Sequence, residues 1–405
     1  MQTTNGNLYA ASAQWRDRPD DERFWDLSSL HAACVKHREQ SKRATIAFGD
    51  MSIVTGAIGS AHAGDVRLIG KAGTSAALTH YAFGQLCNAV QAPAKFLRSL
   101  SSDLTARALN ESIVNAAKAG ATPRELLFRQ NGDLSVRAML SGSYGRIWDA
   151  DVAAGACELG RVGWRPPCGL ALGRSANARP ATKDDILEGQ INVREGDSII
   201  PSGLYASDHD LFVFLVAPDR VIRGVNDHPL MRGVMLRNSE VGDSALVATF
   251  FLMQAVCGNH IIWNASGVHE IRVIHRKNAS ELDGRRAFSK FGAKLRAELR
   301  VYENASAANE ERAIRTAQAR ELGSTKEEVI AVIVKYAKGH SLEKLTESRV
   351  TQAYAIADEH SNWYGSPRSV WGMVSGLTQL SQRTGHTDAR HEIDACAGEL
   401  MSVAF

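Results

Sequence analysis

The residues best suited to chemistry gather late in the chain. Cys257, His260, His269 and His275 are types that ligate zinc, and a structural zinc site takes four such ligands. Their spacing, C-x2-H-x8-H-x5-H, matches no regular finger. Cysteine is readily buried as a plain thiol, so the expectation is no metal and no cofactor, with Cys257 a structural thiol. As a nucleophile, Cys257 would need an electropositive, partly exposed setting and a histidine beside it. Asp208-His209-Asp210 could hold a divalent ion or act as acid and base, and the same residues also make an ordinary turn. Asn238-Ser239-Glu240 could mark an anion site at a helix start, although the charge of Glu240 opposes an anion there. With Asn259, these are motif residues without an assigned role. There is no P-loop, dinucleotide fingerprint, nucleophile elbow or HExxH pair, so no complete catalytic signature is present.

Charge points elsewhere. Between residues 272 and 300 stand Arg272, Arg276, Lys277, Arg285, Arg286, Lys290, Lys294, Arg296 and Arg300, against Glu281, Asp283 and Glu298. That is a local excess of six positive charges in a chain whose total is +3. Arg286, Lys290 and Lys294 are spaced by four and share one helix face. Phe288, Phe291 and Tyr302 interleave with them, while Arg137, Arg146 and Tyr144 flank a hairpin upstream. Basic side chains neutralise phosphates, and exposed rings can stack on unpaired bases.

The elements that must position these groups follow from periodicity. Met231–Leu236 is an apolar run with strand character. From Ala245 to Val256 nearly every residue is apolar, which predicts a helix buried on all sides, capped by Asp243 or Ser244 and ended by Gly258. His269–His275 alternates as a strand. Upstream, helices are expected over Phe24–Arg38, Thr74–Leu100 with a break at Pro93, Leu104–Ala119, and from Asp149 or Asp151 to Leu159. Thr45–Val54 is expected as one strand or a hairpin arm and Val66–Gly70 as another, with Tyr205–Val216 pairing Asp219–Arg223. Asn131-Gly132 between two alternating runs predicts a hairpin over Glu125–Leu140. Residues 160–196, rich in Arg, Pro and Gly, read as an irregular insertion. Helices are expected over 280–322, Thr325–Tyr336, Glu343–His360 and Pro367–Gln382. The organisation expected is an N-terminal segment (1–39), an α+β core (40–280) with a mixed or antiparallel sheet around the buried helix, and a mostly helical C-terminal region (281–405).

Taken in order, RELLFRQNGDLSVRAMLSGSYGRIWDADV, GLYASDHDLFVFLV, the run from Met231 to Trp263, IRVIHRKN and SVWGMVSGLTQLSQRTGH resemble a family of phage- and plasmid-encoded proteins, the phage/plasmid-like group catalogued as domain of unknown function 932. The resemblance spans roughly residues 40–385. His260 stands where many of those relatives carry a small residue, and the 160–196 segment is a further departure. The resemblance implies a mobile-element setting and a shared fold, and it supplies no catalytic residue.

Composition bounds the rest. The chain has 405 residues, 44% hydrophobic and 22% charged, as expected of a globular protein. Six scattered cysteines with no CxxC fit reduced thiols in a cytoplasm. No secretory signal and no bilayer-spanning run are expected. The leading expectation is a non-catalytic protein that binds nucleic acid, most concretely single-stranded DNA in recombination or replication; homo-oligomer formation is left open. Two alternatives stand beside it: an enzyme using Cys257, His260 and Asp208 on a nucleotide or nucleic acid, and a host-defence antagonist that works by protein binding.

Overall fold

Three long neighbouring strands, in which nearly every described side chain is buried, make the centre of the molecule, and they explain its most apolar sequence. In the computed structural model the described residues are 19–56, 65–71, 73–171, 176–186, 193–222, 230–254, 260–263, 270–277, 284–304, 308–340, 342, 344–383, 393, 396–397 and 400. The chain begins with β1 (Arg23–Phe24), α1 (Leu27–Glu39), β2 (Ser41–Ile46), β3 (Met51–Thr55), β4 (Val66–Gly70) and β5 (Ser75–Leu78). Helices α2 (His80–Ala89), α3 (Ala94–Leu97) and α4 (Ser102–Lys118) precede the hairpin β6 (Arg124–Asn131) and β7 (Asp133–Ser141). Next come α5 (Asp149–Arg161), β8 (Cys168–Leu170), β9 (Arg179–Pro180), β10 (Ser198–Pro201) and β11 (Leu204–Ala206). The central strands are β12 (Leu211–Ile222), β13 (Leu230–Asn238) and β14 (Leu246–Gln254), followed by β15 (His260–Trp263) and β16 (Ile271–Val273). The rest is helical: α6 (Arg285–Asn304), α7 (Ala308–Ala319), α8 (Lys326–Gly339), α9 (Glu347–Glu359), α10 (Ser361–Tyr364) and α11 (Val370–Arg383).

The class is α+β with a helical C-terminal region. One sheet runs β1-β11-β12-β13-β14-β15, with β16 also on β14; a second runs β2-β6-β7-β5-β4-β3, antiparallel but for the β5/β7 pair; β8 and β9, from the 160–196 segment read as irregular, pair with β10 just after it in a small third sheet. The expected buried helix over Ala245–Val256 is a strand instead. A continuous apolar run suits a buried helix and a central strand equally, and Val247, Thr249, Phe250 and Phe251 are β-branched or aromatic residues that favour the strand. The caps assigned to Asp243 and Ser244 fall with that helix, and Cys257, Gly258, Asn259 and His269 lie outside the described residues.

Four smaller readings are corrected too. Asp219–Arg223 does not pair Tyr205–Val216: one strand, β12, runs through to Ile222 and pairs β13. Thr45–Val54 holds the end of one strand and the start of another. The Thr74–Leu100 region opens as β5, and α2 starts only after Thr79, whose hydroxyl caps it. His275 lies beyond the end of β16.

Alternation places the cores. Val213, Leu215, Val234, Leu236, Ala248 and Phe250 face α1, α5 and α6, meeting Leu30, Ala153, Phe291, Leu295 and Leu299. Ile222, Leu230 and Leu252, at the other end of the strands, join the C-terminal helices through Ile333, Val350, Trp371 and Leu377. There α9 and α11 approach so closely that a Cβ on Gly376 would lie 2.2 Å from the Ala353 carbonyl oxygen. The second sheet buries Leu68, Ala76, Leu126 and Val136 under Leu86, Leu109 and Ile113 of α2 and α4. Its β3 edge is closed by Asn110 of α4, whose side-chain amide donates to the Ile53 carbonyl at 2.8 Å and accepts from the Ile53 amide at 2.7 Å. None of the helices described is long and apolar enough to cross a membrane.

The hairpin stands as expected, with Gly132 at φ +77° and open space where a Cβ would go. Strain alone therefore penalises a side chain there. Gly132→Val is expected to cost about 1 kcal/mol or more, since a β-branched residue fits positive φ poorly. A thermal melt checks this, and an unchanged midpoint would contradict it.

Candidate functional site

The polar turn that ends β13 is the most deeply buried polar run among the described residues. Asn238, Ser239 and Glu240 are 0%, 0% and 1% exposed. The Asn238 amide donates to the Ile147 carbonyl at 3.0 Å and to Asp149 Oδ1 at 2.7 Å. The Ser239 hydroxyl donates to the His209 carbonyl at 2.6 Å and accepts from the Asp243 amide at 3.1 Å. The Glu240 carboxylate accepts from Arg137 Nη1 and, through its other oxygen, from the Asp149 backbone amide at the start of α5, both at 2.9 Å. Glu240 therefore serves as the anion that the positive end of α5 attracts, whereas the anion site suspected from sequence, at the start of a helix over Ala245–Val256, falls because that segment is a strand.

A β-bulge brings Arg137 to that carboxylate. Leu127 pairs Ala138 but Phe128 pairs Val136, so Arg137 is the extra residue of β7. Val136 and Met139 both face α2 and α4, whereas Ala138 and Leu140 lie on the opposite face. The bulge puts Arg137 on that opposite face with Ala138, which strict alternation would forbid. Arg137 also donates from Nε to the Asp208 carbonyl at 3.1 Å. Arg129 pairs with the Asp208 carboxylate. Asp208-His209-Asp210 is thereby a turn: Ser207 donates to Asp210 Oδ1 at 2.6 Å and accepts from the His209 and Asp210 amides, each at 3.2 Å.

Arg146 completes the junction, donating to the Glu240 carbonyl and to Glu125 Oε1 at 2.9 Å each. Lys277 Nζ lies 3.5 Å from the other oxygen of Glu125. The Tyr144 hydroxyl donates to the Ser239 carbonyl at 2.9 Å, so His275, 2.7 Å away, donates to it from Nδ1. Burial holds the His275 imidazole down at about 4, helped by the charge of Arg146. Burial raises the Asp149 carboxyl well above the usual range, and the Glu240 charge adds to this. The segment carrying Tyr144 and Arg146 also docks α6: Lys277 donates to the Ser143 carbonyl, and Gly284 donates to the Arg146 carbonyl at 2.9 Å.

Arg137, Arg146 and Tyr144 are thus misplaced as nucleic-acid contacts. The two arginines are buried in ion pairs, and Tyr144 is half-buried with its hydroxyl engaged. Lys277 is half-buried against Glu125. The remaining eight cations (Arg272, Arg276, Arg285, Arg286, Lys290, Lys294, Arg296 and Arg300) are exposed. Six of them lie along α6, whose other face seats Phe291, Leu295, Leu299 and Tyr302 in the core. Tyr302 donates to the Phe251 carbonyl at 2.7 Å, and Phe288 packs against the same core. The rings expected to stack on bases therefore belong to the interior.

The enzyme alternative gains nothing from the described residues. They contain no group of three His, Cys, Asp or Glu that could hold a metal. Burial raises the thiols of Cys34, Cys87, Cys157 and Cys168, the last to about 11, opposite to what a nucleophile needs. Cys257 lies outside the described residues, and His260 stands on β15.

Two outcomes follow from the junction. Arg137→Met is expected to destabilise the fold by about 3–5 kcal/mol, because Glu240 is left buried without its counter-charge; adding Glu240→Gln should recover part of that. Denaturant titration checks both, and an unshifted midpoint for Arg137→Met would contradict the assignment. His275 titrates near 4 when folded and near 6.5 when unfolded, so the unfolded chain binds the extra proton between those values. Its contribution is complete above about pH 6.5 and is lost as pH falls towards 4, amounting to about 2–3 kcal/mol. The stability difference between wild type and His275→Phe, followed from pH 7 to 4, should shrink by that amount; a constant difference would refute it. Comparison with known proteins returns no matching family model, no matching curated protein and no matching solved structure.

Proposed function

We propose that this protein binds nucleic acid through its phosphates, using the outer face of α6. The observation that carries the reading is the segregation of charge. Along the 285–304 helix, Arg285, Arg286, Lys290, Lys294, Arg296 and Arg300 are all exposed. The two acidic residues of the helix, Glu298 and Glu303, are half-buried, and Glu303 accepts from the Trp164 indole at 2.8 Å. Arg276, just beyond β16, is exposed near the same helix, which packs against the Ile271 and Val273 face of β16; Arg272 is exposed on the opposite face of that strand. Such a surface neutralises phosphates and releases their counterions, so binding is salt-dependent and indifferent to sequence. The resemblance to phage and plasmid proteins supports a role in handling the nucleic acid of a mobile element, by association rather than by chemistry.

The triple change Arg286→Ala, Lys290→Ala, Lys294→Ala touches only exposed side chains, so the fold should persist. It is expected to weaken binding to all sequences alike and to lower the log–log salt slope by roughly 2–3, at about 0.7–0.9 per phosphate contact. Fluorescence anisotropy with labelled oligonucleotides at several salt concentrations measures this. A wild-type slope in the triple variant would overturn the assignment of this face.

A further inference from the structure

We infer that α6 seats in the major groove of double-stranded DNA, an inference that rests on the phosphate-binding reading of the same face. The arrangement of the cations carries it. Residues four apart form rows along a helix. Arg286, Lys290 and Lys294 make one row, and Arg296 and Arg300 make another on the opposite flank of the exposed face. Between the rows runs a third, Arg285, Ser289, Ala293, Ala297 and Val301, all exposed and small through its middle. Cations therefore project from two flanks about a low crest, as two phosphate strands bordering one groove require. An α-helix with its side chains is about 10–12 Å across and the major groove of B-form DNA about 12 Å wide, so the helix fits. A helix of 20 residues is about 30 Å long, enough for both rows to reach backbone. The small crest allows the helix axis to sink between the strands.

The aromatic residues agree. A single strand is held by stacking on exposed rings, and the rings that sequence offered here are committed elsewhere: Phe288, Phe291 and Tyr302 to the core, and the Tyr144 hydroxyl to Ser239. Ala293 and Ala297 carry no donor or acceptor for base edges, the Ser289 hydroxyl can serve either partner of a base pair and so discriminates little, and the Asn304 amide at the helix end donates to the Arg300 carbonyl at 2.7 Å. The groove is thus recognised by width and charge. An RNA duplex, whose major groove is too deep and narrow to admit a helix, is disfavoured.

The test is anisotropy at one salt concentration with three ligands of matched length: a DNA duplex, its single strand and an RNA duplex. The DNA duplex is expected to bind about tenfold or more tighter than the other two. Ala293→Trp places a bulky ring on the exposed crest; it should remove that advantage while leaving single-strand binding in place. A single strand or RNA duplex bound as tightly as the DNA duplex, or an unchanged duplex affinity in Ala293→Trp, overturns groove docking and leaves the phosphate reading intact. If the wild-type protein binds no nucleic acid at low salt, both fall together.

Discussion

The Glu240 carboxylate is a charge that the chain has removed from water, and much of the architecture answers to it. Burying such an ion costs several kcal/mol unless counter-charge and hydrogen bonds are supplied in place. Here the counter-charge comes from the second sheet, through Arg137, and the hydrogen bond from the first turn of α5. The sheets, the helix and the turn after β13 are therefore held in one relative arrangement, because displacing any of them exposes an unpaired charge inside the protein. Arg146 extends the constraint by grasping the same turn through its guanidinium and the start of α6 through its carbonyl. The interior junction thereby sets where the outer basic helix stands.

Arginine does two opposed jobs in this molecule. At the junction it is dehydrated, geometrically fixed and matched one to one with carboxylates. Along α6, Arg286, Arg296 and Arg300 are exposed and gathered with their own kind, so that their charge faces an external anion. A composition count cannot separate the two roles, since both contribute equally to a net charge of +3. Burial separates them.

Much of this was legible in advance, for identifiable reasons. The hairpin could be read because Asn131-Gly132 states a backbone conformation. The basic helix could be read because a face spaced by four survives any tertiary context. The β14 strand was misread because periodicity vanishes when both faces of a strand are covered, leaving only residue type to decide. Arg137 was misread because a charged residue in a hairpin ordinarily faces solvent. A local signal did exist: Ala138, Met139 and Leu140 are three consecutive apolar residues where alternation demands two, and such a break is what a bulge leaves in a sequence. The burial of Asn238-Ser239-Glu240 had no such signal, because the side-chain partners of Asn238 and Glu240 come from segments about ninety to a hundred residues away.

The closed edge of the second sheet bears on how copies of the chain can meet. Asn110 occupies the hydrogen-bonding groups of Ile53 on β3, while the far edge, β2, presents Lys42, Arg43, Ala44 and Thr45 to solvent. A sheet open on both sides can add strands without limit, which is the geometry of a fibre. One plugged on a single side has only one place to grow. Edge-to-edge association through this sheet stops at a symmetric pair, and the charges of Lys42 and Arg43 would oppose even that pair.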